Sequence, residues 1–349
     1  MADALLSPAV GGTMIAVSAA AIAYGVRKIS GGNRPEGPGT ISDPALDEKK
    51  IPMMGVLGAF VFAAQMINFT IPGTGSSGHI GGGILLAAVL GPFPALLTLA
   101  SVLLIQCLFF ADGGLLAYGC NVFNMGVLSC LLAYPLIFRP MVKGGLSKKR
   151  IAAASVLSVI AGLQLGAFFV VLETLLSGVT ELPAGPFLLL MQPIHLAIGL
   201  VEGLVTAAVL CYVHRLRPEL LESAGKAAPV PAGVPMRKIL VSFVILTAAV
   251  GGVLSIFASA YPDGLEWSME GVAGTAELER EGGVYDAART AVEKTAFMPD
   301  YGFPGGGEKS PAAEAAGTAA AGLAGSLITV LLAGGAGLAV AVTRKKRAA

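Results

Sequence analysis

The sequence predicts an all-α polytopic membrane protein of about nine transmembrane helices, one of them short and set after an outer glycine-rich loop. Three observations predict it. Hydrophobic residues make up 55% of the 349 and charged residues only 13%, about half the charged share of a soluble domain. The apolar residues gather into runs long enough for a hydrocarbon core about 30 Å thick. The charges fall between those runs. A soluble globular domain is excluded, and a formal net charge of +1 implies neither nucleic acid nor a strongly acidic partner.

Long apolar runs lie near residues 8–28, 51–69, 94–111, 115–138, 151–176, 188–214, 237–260 and 319–343. The first has no basic segment ahead of it and ends in Arg27 and Lys28, so it reads as a retained helix and not as a cleavable signal. A ninth segment, Ile80 to Leu90, holds eleven residues, about 16 Å of helix. It starts in glycines and is closed by Gly91-Pro92. The basic clusters decide whether it crosses, because Lys and Arg collect on the cytoplasmic side. Arg27 to Lys50, Arg139 to Arg150, Arg215 to Lys238 and Arg344 to Arg347 share one side only if the short segment crosses too. The N-terminus and residues 70–79, 112–114, 177–187 and 261–318 then lie outside, and the C-terminus is cytoplasmic.

Two composition shifts divide the chain. Residues 1–220 hold seven of the predicted helices, and a Pro/Ala/Gly-rich cytoplasmic linker spans 221–236. Residues 237–349 place two helices around a polar outer segment, 261–318, which carries eleven acidic side chains against four basic ones. Such a segment reads as solvated surface or as a field that concentrates cations. Cys107, Cys120, Cys130 and Cys211 all lie in apolar runs without CxxC spacing, so they read as small core residues and not as a disulfide or zinc framework.

The stretch most able to carry chemistry joins a long span to the short one: Asn68 through the glycines and serines to His79 and Gly83. Its Gly73-x-Gly75-x-x-Gly78 spacing is not a dinucleotide fingerprint, because no strand in a βαβ unit precedes it. No Lys-Ser/Thr follows, so it is not a P-loop. What remains is a flexible loop delivering one imidazole, His79, to the membrane surface, where irregular backbone is tolerated if it lines a cavity. An imidazole suits nickel, cobalt, copper or zinc and cannot complete a site alone; the other reading is a histidine that only hydrogen-bonds its own loop. His195 lies about one turn inside its span, in a packing or supporting role. Glu202, two turns farther along the same face, reads as a buried polar contact and His214 as solvated. Glu173 and Asp112 read as capping and turn residues. Gln106, Asn121 and Asn124 read as amides bonding helix to helix. No catalytic triad, carboxylate pair or HExxH helix occurs, so an enzyme is not predicted.

These residues resemble a known family. Ile71-Pro-Gly-Thr-Gly-Ser-Ser-Gly-His-Ile-Gly-Gly-Gly, Leu90-Gly-Pro, Phe110-Ala-Asp-Gly-Gly and Gly119-Cys-Asn-Val-Phe-Asn-Met-Gly126 are similar to the substrate-binding membrane subunit of energy-coupling-factor nickel/cobalt transporters, over about residues 1–220. Tyr261-Pro-Asp-Gly-Leu-Glu266 and Phe297-Met-Pro-Asp-Tyr301 resemble the small accessory component of the same systems, here fused through the linker. The resemblance implies an outer metal site made by the terminal amine, the backbone amide and imidazole of a histidine at position two, and the loop histidine, in a square plane. His79 matches the loop histidine. Met1, Ala2 and Asp3 stand where the rest belongs, and no histidine is among them. Either the true start lies upstream and a Met-His has been lost, the reading favoured by the intact remainder, or Asp3 supplies an oxygen, a harder donor less suited to planar nickel. Asn68, Ser77, Gly78, Asn121, Asn124 and His195 are the candidates to surround the site.

The resemblance further implies a multi-pass protein of the bacterial plasma membrane that carries Ni²⁺ or Co²⁺ as cargo, without a prosthetic group. Its partners would be a transmembrane scaffold subunit, cytoplasmic ATPase subunits and membrane lipid, with no nucleic acid. The basic loop 139–150 and small residues around Ala152 to Ala154 and Gly119 to Gly126 are candidate docking faces. The rival readings are a secondary transporter or channel for another small solute, for which Glu202 is the available coupling residue, and an assembly protein with no ligand.

Overall fold

A computed structural model describes residues 1–30, 47–226, 228–231, 233–276, 278–305 and 310–348, and of these residue 311 and residues 344–348 by backbone alone. The chain is a polytopic membrane protein built almost wholly of helix. A short 3-10 turn, Asp3–Leu5, leads into α1 (Pro8–Ser30); α2 (Lys50–Gln65) follows, then strands β1 (Phe69–Ile71) and β2 (Ser76–Gly78), α3 (Gly83–Leu90) and α4 (Pro92–Phe110). Next, α5 (Tyr118–Asn121) runs on as π-helix over Val122–Phe138 into α6 (Arg139–Lys143), one continuous apolar rod. Helices α7 (Lys148–Ser177) and α8 (Ala184–Leu216) form a long pair, followed by α9 (Pro218–Lys226), α10 (Arg237–Gly252), α11 (Gly264–Ala273), α12 (Val284–Thr295) and α13 (Pro311–Ala348).

Among the described residues seven helices are long and apolar enough to cross a membrane: Pro8–Ser30, Pro92–Phe110, Tyr118–Lys143, Lys148–Ser177, Ala184–Leu216, Arg237–Phe257 and Ala312–Thr343. Their outer faces carry leucines and valines such as Leu189, Leu204, Leu327 and Leu331, all exposed, as a lipid-facing surface requires. Two apolar helices are shorter. Helix α2 has 16 residues, and α3 has 8, every one buried. At about 12 Å, α3 cannot cross alone; it survives because other helices enclose it and satisfy its ends. Gly91 adopts a φ of 93°, open to glycine at little cost, and this breaks α3 from α4.

Small residues set the helix spacing. A Cβ at Gly203 of α8 would lie 2.7 Å from the Val156 Cα of α7, and one at Gly322 of α13 would lie 2.2 Å from the Gly251 carbonyl of α10. The face from Gly119 to Gly126, expected to be free for a partner, is used internally. Gly119 abuts the α1 backbone at Met14 and Ile15, and Gly126 abuts Leu96 of α4. Ala154 is likewise buried, while Ala153 remains exposed.

A further expectation changes. The glycine-rich loop is not flexible coil but an antiparallel hairpin pairing Phe69 with Gly78, Thr70 with Ser77 and Ile71 with Ser76, so the chain is not purely α. The described part of the segment 221–236 packs against the helices. Leu221, Ala224 and Val230 are buried, Arg139 donates to the Gly225 carbonyl at 2.8 Å, and the Val230 amide donates to Asp47 at 2.8 Å. Helix-to-helix bonding by amides appears as expected in Gln106, whose Nε2 donates to Gln65 Oε1 at 2.9 Å. Of the basic clusters, most of Arg27 to Lys50 and the side chains of Arg344 to Arg347 lie outside the described residues, as do Glu277, Glu308 and Lys309 of the acidic segment.

Candidate metal centre

A cavity of about 140 Å³ opens where the hairpin meets α7, α8 and the rod that begins at α5. Local chemistry fixes its rim. Positive φ at Gly73 and Gly75 turns the hairpin, and β2 ends by delivering His79 to the cavity wall. The backbone beyond His79 is clamped from two sides. Gln65 Nε2 donates to the Gly81 carbonyl at 2.9 Å, and the Gly82 amide donates to Glu202 Oε1 at 2.9 Å. Gly82 has φ 77°, and a Cβ there would lie 2.6 Å from Val61, so both conformation and space demand glycine.

His79 Nδ1 is buried with no hydrogen-bond partner among the described residues. That nitrogen therefore keeps an unused hydrogen-bonding position on a side chain of the cavity wall. His195 also lines the cavity, and its Nδ1 lies 2.8 Å from the Met191 carbonyl. That carbonyl can only accept, so Nδ1 carries the proton and the Nε2 lone pair is left available.

The residues expected around His79 divide into two groups. Met1, Gly78, Asn121, Asn124 and His195 line the cavity with it. Asn68, Ala2, Asp3 and Ser77 do not. The Asn68 carbonyl accepts from the Ser259 amide at 2.7 Å. The Asp3 carboxylate accepts from the Ala117 amide at 2.8 Å, which anchors the 3-10 turn, and burial pushes its pKa above the ordinary carboxylate value. Met1 is held at the cavity by its carbonyl, which accepts from the Gly114 amide at 3.2 Å and from Asn121 Nδ2 at 3.4 Å. No group of three or more His, Cys, Asp or Glu side chains is gathered into a metal cluster among the described residues.

Three residues differ from their expected roles. Glu173 does not cap its helix; it is 3% exposed, and its carboxylate accepts from Asn124 Nδ2 at 2.8 Å, orienting that amide at the cavity. Asp112 does more than make a turn, since the Tyr301 hydroxyl donates to it. His214 is half-buried with an unpartnered Nδ1, and so is not simply solvated.

The acidic segment supplies what sequence reasoning missed. Asp263, Gly264 and Leu265 complete the cavity wall. Asp263 caps α11 by accepting from the Leu265 and Glu266 amides, and Glu266 returns a bond to the Asp263 amide. This capping box is legible as Asp-x-x-Glu; its destination is not. The cap is sewn to the hairpin, for the Ser77 amide donates to the Pro262 carbonyl at 2.8 Å, the Ser77 hydroxyl to the Tyr261 carbonyl at 2.7 Å and Trp267 Nε1 to the Thr74 carbonyl at 2.9 Å. Ser77 thus holds the cap. The second accessory motif docks on the end of α4, where Tyr301 stacks on Phe110 with ring centres 5.1 Å apart.

Comparison with known proteins follows this division. Residues 1–220 match the family model CbiM, described as the cobalt uptake substrate-specific transmembrane region, and residues 237–342 match the PDGLE domain. The chain is 31% identical over 330 residues to a putative fused nickel transport protein NikMN of Archaeoglobus fulgidus, covering 95% of each. It is 34% identical over 205 residues to the fused nickel transport protein NikMN of Rhodobacter capsulatus, covering 54% of this chain and 56% of that one. A solved structure of a truncated transition metal transporter aligns with a TM-score of 0.50 at 27% identity, over 62% of this chain and 98% of its own. The chain belongs to the CbiM family of cobalt uptake substrate-specific transmembrane regions and carries a PDGLE domain on the same polypeptide.

Proposed function

We propose that this protein captures nickel or cobalt ions at the outer membrane surface and serves as the metal-binding membrane subunit of an ATP-driven uptake transporter. The observation that carries the reading is His79, which lines the cavity together with Met1 and whose buried Nδ1 has no hydrogen-bond partner among the described residues. An imidazole nitrogen is a good donor for both ions, and the main chain at Met1 lies at the same cavity. Relatives named as nickel and cobalt transport proteins support the same cargo. The proposed ligands are His79 and the main chain at Met1; Ala2 and Asp3, which stand off the cavity wall, join the set only if the 3-10 turn shifts and the Asp3 carboxylate leaves the Ala117 amide. Asn121, Asn124 and His195 orient and surround the ion.

In this reading the seven long helices, together with α2 and α3, make nine crossings. The hairpin lies outside and the basic ends lie in the cytoplasm. Residues 1–220 capture the metal, 221–236 connect, and 237–349 cap the site. The energy comes from outside the chain: no nucleotide-binding motif is present in its sequence, so ATP hydrolysis falls to cytoplasmic partners working through a membrane scaffold. The test is uptake of radioactive nickel and cobalt in cells expressing the complete system. His79→Ala reduces uptake to background, and so does deletion of the ATPase genes. Uptake that survives ATPase deletion would instead indicate a secondary transporter, and uptake untouched by His79→Ala would remove this site from the mechanism.

A further inference from the structure

Glu202 lines the cavity and anchors the Gly82 amide. It is 2% exposed, and the anchoring atom is its Oε1. Its Oε2 is buried, with no hydrogen-bond partner among the described residues. The carboxylate lies flat against the backbone beyond His79, since a Cβ at Gly81 would sit 3.4 and 3.5 Å from its two oxygens. The other acid on the cavity wall, Asp263, spends its Oδ1 on the two α11 amides. Asn124, which lines the same cavity, also has a buried oxygen, Oδ1, with no hydrogen-bond partner among the described residues.

We infer that Glu202 is a cation-contacting carboxylate of this cavity, the oxygen donor and counter-charge for the divalent ion that His79 captures. The argument is one of charge. A divalent ion moved into a low-dielectric site is costly unless an opposite charge accompanies it, and imidazoles, amides and carbonyls bring none. A carboxylate buried within a membrane bundle with a free oxygen is costly in its own right. Each cost is relieved by the other group. Glu202 lies seven residues beyond His195, about 10 Å farther along α8, so it meets the ion from the side opposite the cap.

The inference rests on the metal-capture reading, and the test separates the two. Full-length protein in detergent is titrated with Co²⁺ by calorimetry while its visible absorption is followed. Glu202→Gln keeps the shape of the side chain and an oxygen for the Gly82 amide but removes the charge. It is expected to weaken Co²⁺ binding by about tenfold or more and to shift the Co²⁺ absorption bands. Affinity within about twofold of the unmodified protein, with unchanged bands, overturns the inference. If the unmodified protein does not bind Co²⁺, the metal-capture reading itself falls; if it binds, His79→Ala does not and Glu202→Gln binds normally, only the role of Glu202 falls. Should Glu202→Gln fail to fold, infrared difference spectra of the unmodified protein labelled with carbon-13 glutamate decide. Co²⁺ is expected to shift a glutamate carboxylate band, and no shift overturns the assignment.

Discussion

Asn124 and Glu173 illustrate how a buried polar pair serves a site without touching its cargo. The bond between them sets which atom of Asn124 faces the cavity: the amide nitrogen is spent on Glu173, so Oδ1 points elsewhere and stays unpartnered. Asn124→Ala leaves a buried carboxylate unsatisfied and is expected to cost about 1–3 kcal/mol, read as a lower melting temperature in detergent; an unchanged melting temperature would mean that water replaces the amide. Asp3 makes a prediction with a pH dependence. Burial raises its pKa, so the folded state binds its proton more tightly than the unfolded state, and stability is lost as pH rises from the usual carboxylate value through the raised one. Asp3→Asn keeps an oxygen for the Ala117 amide and has no charge to bury. Its melting temperature is expected to exceed that of the unmodified protein at neutral pH, with the advantage disappearing in acid below the ordinary carboxylate range. His79 stood out in the sequence because a lone imidazole between glycines and an undersized helix is conspicuous, and it lines the cavity. Sequence reasoning missed Glu173 because helix position alone cannot tell a cap from a buried partner on the neighbouring helix.

The hairpin is the element that converts sequence into a site. Glycines and serines read as flexible coil, and the chain would be flexible if strands of three residues had only each other to pair with. What orders them comes from 180 or more residues away: the carbonyls of Tyr261 and Pro262 and the indole of Trp267. A long-range partner of that kind leaves no local signature. Helix α3 was legible for the opposite reason. Its short length, glycine start and Gly-Pro end are all local features of the sequence, and they mark a short helix between Ile80 and Leu90. At Gly82 the left-handed φ and the 2.6 Å approach to Val61 coincide, so Gly82→Ala must either move Val61 or abandon the conformation. It is expected to cost at least about 1 kcal/mol and to weaken nickel binding by displacing the Glu202 contact. Normal stability and affinity together would show that the turn tolerates a side chain.

Across the whole molecule, the accessory segment closes a cavity that the first 220 residues begin. The cap contributes Asp263, Gly264 and Leu265 to the wall and is tied to the hairpin that carries His79. The Pro/Ala/Gly composition of 221–236 suggested a boundary, and the resemblance to two components was readable from motifs. Their packing was not, because the linker leaves the distance between the ends undetermined. If the cap must open for an ion to exchange, loosening it speeds exchange. Trp267→Phe removes one hydrogen bond to Thr74, worth about 0.5–1.5 kcal/mol, and is expected to raise the rate of nickel release roughly two- to tenfold in a chelator-chase experiment. An unchanged release rate would show that the ion leaves by another route.

The central claim is that His79 holds the transported ion. The most direct measurement is equilibrium titration of the purified full-length protein, carrying its authentic amino terminus, by Ni²⁺ and by Co²⁺, alongside His79→Ala. The account predicts one tightly bound ion per chain that is lost in the variant while the variant's folding remains intact. Equal binding by the two proteins would contradict it.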